Sequence, residues 1–143
     1  VGGQVEIVTL PGYMPLLNNI AMAGLFIENS SQLVGRTNVK ENPAHLNRGG
    51  STDMGDLSQV MPVIHPYTGA ASGTGHGIDY IIEDYIQAVI NPAKAMAATV
   101  IDLLSEDARK ARGIIKEFSP NLSIESYVAM QRARFTNEVY TGV

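Results

Sequence analysis

Three histidines are the residues of this chain best suited to hold a metal or carry a proton. His76 stands in Ser72-Gly73-Thr74-Gly75-His76-Gly77-Ile78-Asp79, where no bulky neighbour covers the imidazole. The glycines leave the backbone free to aim the ring. One histidine does not make a site, since catalytic zinc usually takes three protein ligands. His45 lies in a polar connection and reads as a loop histidine. His65 ends a strand beside Pro66, where packing is the plainer account, although strand ends are also where α/β sites form.

A second concentration of chemistry is Gly49-Gly50-Ser51-Thr52-Asp53-Met54-Gly55-Asp56-Leu57-Ser58. Its glycines, hydroxyls and carboxylates are packed between expected elements. The backbone N–H groups and hydroxyls of such a turn can hold an anion, for instance a substrate carboxylate. The same residues also suit a capped helix start. Ser51 or Thr52 would then be the cap, with Asp53 and Asp56 favoured by the helix dipole. Spacing leaves both open.

Other candidates fail on pattern. Three residues after Gly75 stands Ile78, so the glycine loop misses the dinucleotide fingerprint, and no Lys-Ser/Thr follows it as a Walker loop needs. The Glu83-Asp84 and Glu106-Asp107 pairs suit solvated helix ends better than acid–base work. Met54, Met61, Met96 and Met130 read as core fillers.

These residues must be placed by an α/β chain. Alternation at Val5, Ile7 and Thr9 predicts a half-buried strand, ended by Pro11-Gly12. A helix is expected from Pro15 through Ile27, with Gly35 closing the region. Residues 36–52 form a connection with room for a short strand around residues 37–39. Residues 60–65, Val-Met-Pro-Val-Ile-His, read as a buried strand, with Pro62 placing it at a sheet edge or a strand end. Asn91-Pro92 predicts an N-cap and first helical position. The stripe Ala93, Met96, Ala97, Val100, Ile101 and Leu104 is then expected to be buried. Ser105 starts a second helix or a bend, with Ala108, Ala111, Ile114, Ile115 and Phe118 inward, and Ser123 opens the last helix.

The whole chain bounds the rest. It has 143 residues and no cysteine, so a disulfide scaffold, a zinc finger and a thiol nucleophile are excluded. A net charge of −4 argues against nucleic acid as a partner. The apolar-rich stretch at residues 14–27 is interrupted by Asn18, Asn19 and Gly24, so no membrane association is expected. No leader-like start is seen, which makes the cytoplasm the default compartment. The opening Val1-Gly2-Gly3-Gln4 suggests a piece of something longer.

Residues 50–58, then Met61-Pro62 and a histidine in a glycine-rich loop, resemble a zinc-dependent family. It is that of carboxypeptidase G, aminoacylase and succinyl-diaminopimelate desuccinylase. Its branch with p-aminobenzoyl-glutamate hydrolase and the aminoacyl dipeptidases is the most similar. Leu10-Pro11-Gly12-Tyr13-Met14-Pro15-Leu16 and Asn91-Pro92-Ala93-Lys94 fit that branch too. The resemblance implies the C-terminal half of a zinc-peptidase-like α/β/α catalytic domain. Residues 1–12 would end an inserted lid (dimerisation) domain, and residues 13–143 would be the returning catalytic part.

His76 matches the family's last metal ligand, and Ser51 and Thr52 match the turn near the substrate's carboxylate end. Gly50 and Asp53 belong to the same substrate-positioning turn. The implied reaction is hydrolysis of an amide bond in an N-acyl amino acid or dipeptide by zinc-activated water. The other ligands of the two zinc ions, and the general base, belong to the family's N-terminal half, which this sequence lacks. The 143 residues alone are therefore expected neither to bind a two-zinc centre nor to cleave amides. Expected partners are that small substrate, the missing half and, through bare core faces, a second copy in a homo-oligomer. The rival expectation is a noncatalytic α/β binding or oligomerisation module.

Overall fold

The computed structural model describes residues 2–41 and 52–142. In chain order, strand β1 (Gln4–Thr9) precedes helix α1 (Ile20–Val34) and a 3-10 turn at Arg36–Asn38. Then come the short helix α2 (Met54–Ser58) and strands β2 (Ala71–Ser72) and β3 (Ile81–Ile82). A π-helical turn at Ile86–Ile90 runs into α3 (Asn91–Glu117), followed by α4 (Ile124–Arg134) and strand β4 (Thr136–Thr141).

The chain thus mixes helices and strands, but among the described residues every strand pair is antiparallel and two-stranded. β1 pairs with β4 from Gln4↔Thr141 to Thr9↔Thr136, and β2 pairs with β3 as a hairpin. The expected half-buried face of β1 is not formed, for all its residues are exposed. No strand forms at residues 60–65 either. The segment leaves α2 through a turn in which Val60 and Met61 N–H donate to Leu57 O; Val63 is buried, its carbonyl accepting from Asn19 N–H, and His65 N–H donates to the Asn18 side chain. A ladder needs a neighbouring strand, and no described strand lies there.

Helix starts differ from the sequence expectation for local reasons. α1 begins at Ile20 rather than Pro15, because the Asn19 side chain accepts from Met22 N–H as an N-cap. Residues 14–17 stay extended because their backbone groups are taken by α2 and the residue after it. Gly35 closes α1 as expected, with φ +84. The strand at residues 37–39 is replaced by the 3-10 turn. Asn91 caps nothing, since the π turn continues directly into α3. α4 starts where Ser123 accepts from Ser126 N–H, and the residue's own N–H and the Ser123 hydroxyl draw the Glu125 carboxyl below its usual range.

α3 bends at Ser105, as the sequence allowed, but through an unexpected backbone. Glu106, Asp107 and Ala108 have φ of 52, 57 and 56°, the left-handed region that non-glycine residues avoid. Ion pairs Arg109–Glu106 and Arg112–Asp107 span this bend. By length and composition Ile86–Glu117 is apolar enough to cross a membrane, with a mean hydropathy of 1.2 over an 18-residue window. Pro92, Lys94 and Asp102 hid it in the sequence. Only 11% of that apolar window is buried, and the face that packs is the small and polar one.

That packing reverses the expected orientation. The α3 face turned to α1 is Ala95, Thr99 and Asp102, joined to α1 through Asn29. The Asn29 amide donates to Asp102 Oδ2 at 2.8 Å, to Thr99 Oγ1 at 3.4 Å and to Leu25 O at 3.0 Å. The Asn29 bond, helped by Lys110, holds the Asp102 carboxyl below the ordinary aspartate range against desolvation. The stripe expected to be buried is exposed instead. Ile101 and Leu104 are 66% and 63% exposed, and Met96 and Val100 are exposed with them. Met61 and Ile115 are exposed too, so neither fills the core. Small residues fit a close helix–helix approach, so the large side chains were left outside.

Two outcomes are expected. Because the folded Asp102 carboxyl titrates low, its contribution is complete above pH ~4 and is lost as pH falls through the lowered value. Urea midpoints below pH 4 should therefore fall less steeply for Asp102→Asn than for the wild type. Equal slopes would deny the contact. In the middle of α1, a Cβ built on Gly24 meets nothing within 4 Å, so Gly24→Ala should stabilise by roughly 0.5–1 kcal/mol in the same assay.

Candidate functional site

The glycine–hydroxyl–carboxylate motif is divided by the fold into two halves with different tasks. Its later half builds. A Cβ on Gly55 would lie 1.9 Å from the Met14 carbonyl oxygen, so only glycine lets α2 approach residues 14–17. Asp56 Oδ1 then accepts from Met14 N–H at 3.0 Å, and Ser58 Oγ accepts from Leu17 N–H at 3.1 Å. Next to them Gln59 Nε2 donates to Pro15 O at 2.8 Å, while Gln59 O accepts from Asn121 N–H at 3.0 Å. Ser58 and Gln59 are buried, and every one of these groups is used up by the fold.

The earlier half is left free. Gly50 and Ser51, and with them His45, lie outside the described residues. Thr52 is half-buried and Asp53 exposed at the head of α2. Thr52 O accepts from Gly55 N–H at 2.9 Å, and Asp53 O accepts from Asp56 N–H at 3.0 Å, which fixes the turn. The Thr52 hydroxyl donates to Asp53 Oδ1 at 3.2 Å and accepts a long bond from Met54 N–H at 3.4 Å. Asp56 turns away from the helix dipole to reach Met14, which the sequence did not foretell.

His76 sits at the tip of the β2–β3 hairpin, exposed, with φ +65. The tip is built around Asp79, whose Oδ2 accepts from Thr74 N–H at 3.1 Å and from the Thr74 hydroxyl at 3.3 Å. Gly73, at φ +91, lets the two arms close, for a Cβ there would lie 2.2 Å from Asp79 O. Histidine is among the non-glycine residues that tolerate a left-handed backbone. The fold therefore presents the ring outward and gives it no structural work.

Among the described residues no group of three histidine, aspartate or glutamate side chains comes together as a metal site. His65 differs from the simple packing expected of it: its Nδ1 is buried without a hydrogen-bond partner, and its ring meets Tyr67 edge-on at 5.1 Å.

A mouse (Mus musculus) Xaa-Arg dipeptidase is 30% identical to the chain over 118 residues. The match takes in 79% of this chain and 27% of the dipeptidase, so the chain spans about a quarter of that relative's length. No family model matches the sequence, and no solved structure matches it. The chain is similar to a peptidase of the dipeptidase kind.

The division of the motif has measurable consequences. Gly55→Ala forces backbone apart and should cost about 1–3 kcal/mol, and Ser58→Ala, which orphans Leu17 N–H, should cost a similar amount. Asp53→Ala and His76→Ala should each change stability by less than about 0.5 kcal/mol. Urea denaturation of the four variants measures this, and a large loss at Asp53 or His76 would make those residues structural.

Proposed function

We propose that this chain is the C-terminal portion of a metal-dependent amidohydrolase that cleaves dipeptides or N-acyl amino acids. The observation that carries this is the pairing of similarity with bareness. The chain resembles a dipeptidase over 118 residues, and the half-buried Thr52 and exposed Asp53 and His76 of its motifs are groups its packing does not use. Residues 1–12 would belong to the neighbouring lid domain and residues 13–143 to the catalytic domain.

Surface area supports the view that more protein belongs against this chain. Its accessible surface is 10711 Å², against roughly 7,100 Å² for a compact chain of this size. Much of the excess is apolar: Met96, Val100, Ile101 and Leu104 on α3, with Leu17 and Ile20 before and at the start of α1. A helix that buries its small and polar face while baring its large apolar one is built to take another layer. The rest of the catalytic domain is the occupant that the dipeptidase reading requires.

In this account His76 supplies one imidazole to a zinc site whose other ligands and general base lie elsewhere in the protein. Bound zinc there would supply Lewis acidity toward the scissile amide. The hairpin's role is to hold the ring outward at a fixed height. Thr52 and Asp53 would face the substrate. Asp53 has no ion-pair partner among the described residues, and an exposed free carboxylate favours a cationic group over an anionic one. A basic C-terminal residue of the dipeptide fits it, consistent with the name of the mouse relative. The Thr52 hydroxyl would turn from Asp53 Oδ1 to donate to the dipeptide's carboxylate end.

The test uses the full-length protein that contains this chain, loaded with zinc and offered Xaa-Arg, Xaa-Leu and Xaa-Glu dipeptides. Hydrolysis of Xaa-Arg is expected, with His76→Ala lowering kcat by at least about 100-fold. Asp53→Asn should raise KM for Xaa-Arg several-fold and leave Xaa-Leu unchanged. If the zinc-loaded protein cleaves none of the three, the chain is instead the noncatalytic binding module.

A further inference from the structure

We propose that Gln131 is a positioning residue that sets the Thr52–Asp53 turn through Asp56, tying it to both strands of the β1–β4 ribbon. This rests on the substrate-facing role proposed for that turn. The ribbon is rooted at a single point. β1 leaves through residues 10–12, β4 is reached from α4 through Phe135, and Thr9 pairs with Thr136, so both strands join the helical body at one end of the ribbon.

The side chain at that place is Gln131, half-buried on α4. Its amide nitrogen donates to Gly12 O at 3.2 Å, 119 residues away, and reaches Asp56 Oδ1 at 3.4 Å and Tyr127 Oη at 3.3 Å. On the other side its Oε1 accepts from Arg134 Nη1 at 3.5 Å. Asp56 Oδ1 is the same oxygen that accepts from Met14 N–H, and Asp56 N–H donates to Asp53 O. One amide group therefore touches the exit of β1, the helix that leads to β4 and the carboxylate under the candidate substrate turn.

Among the described residues the ribbon has no other fastening of comparable span. All its residues are exposed, and an isolated pair of strands is marginal in water. Arg134 Nη1 adds only a long contact to Met14 Sδ, at 3.7 Å. Any tilt of the ribbon must pass through Gly12 and α4, and both meet Gln131. In the dipeptidase reading β1 ends the lid, so lid position would be felt at Asp53 by this route.

The experiment compares Gln131→Leu, which keeps bulk and loses the donor, with Gln131→Glu, which keeps shape and the Arg134 contact but places an acceptor against Gly12 O and Asp56. Amide exchange is read by NMR in the 143-residue chain. Both variants should speed exchange about fivefold at Met14 and Gly55, with α1 amides facing α3 unchanged. In the full-length protein both should raise KM for Xaa-Arg several-fold while kcat stays within about twofold. Unchanged exchange at Met14 and Gly55, or a Gln131→Glu variant that behaves as wild type, overturns the proposal. Raised exchange in a full-length protein that cleaves no dipeptide would overturn the proposed function and leave this coupling standing.

Discussion

The structure depends on the seating of α2 against residues 14–17. Three backbone groups of an extended segment, Met14 N–H, Pro15 O and Leu17 N–H, are met by a five-residue helix and the glutamine after it, and Gly55 clears the Met14 carbonyl. Such a helix is too short to persist alone. The extended segment has no sheet to join. Each is stable because the other satisfies its polar groups, and an unmet buried N–H or C=O would be costly. Through Gln59 and Asn121 the same cluster fastens the segment before α4, while Asn19, just beyond it, sets where α1 starts.

In the dipeptidase reading, function is grafted on this cluster by leaving part of it idle. Thr52 and Asp53 are held by their backbone oxygens, and their side chains bond only within residues 52–54. His76 is handled in the same way on a separate hairpin, with Asp79 and Gly73 holding the tip. Groups fixed by the main chain and bare at the side chain are what a site presented to another layer of protein needs. The exposed apolar stripe of α3 belongs to the same logic, since it awaits cover while the Asn29–Thr99–Asp102 contact fixes the helix beneath.

Local signals in the sequence were legible and nonlocal ones were not. Gly35, Ser105 and Ser123 each mark a helix end or bend, because caps and breaks act within a few residues. The pairing of β1 with β4, spanning Gln4 to Thr141, leaves no local trace. At residues 60–65 the pattern of a buried strand was correct about Val63 but silent about a partner strand. The α3 stripe was visible as a stripe, and periodicity gives a face without saying what lies opposite it. Residues 50–58 drew attention as one motif. That Gly55 and Asp56 serve packing while Asp53 does not could be read only from Met14.

The seating of α2 is tested most directly by native-state hydrogen exchange at Met14 and Leu17, whose amides lie outside every described helix and strand. Protection comparable to that of the α1 amides that face α3 is predicted, because Asp56 and Ser58 hold them. Exchange at the rate of an open loop would contradict it, and with it the claim that this cluster positions the turn at residues 52–53.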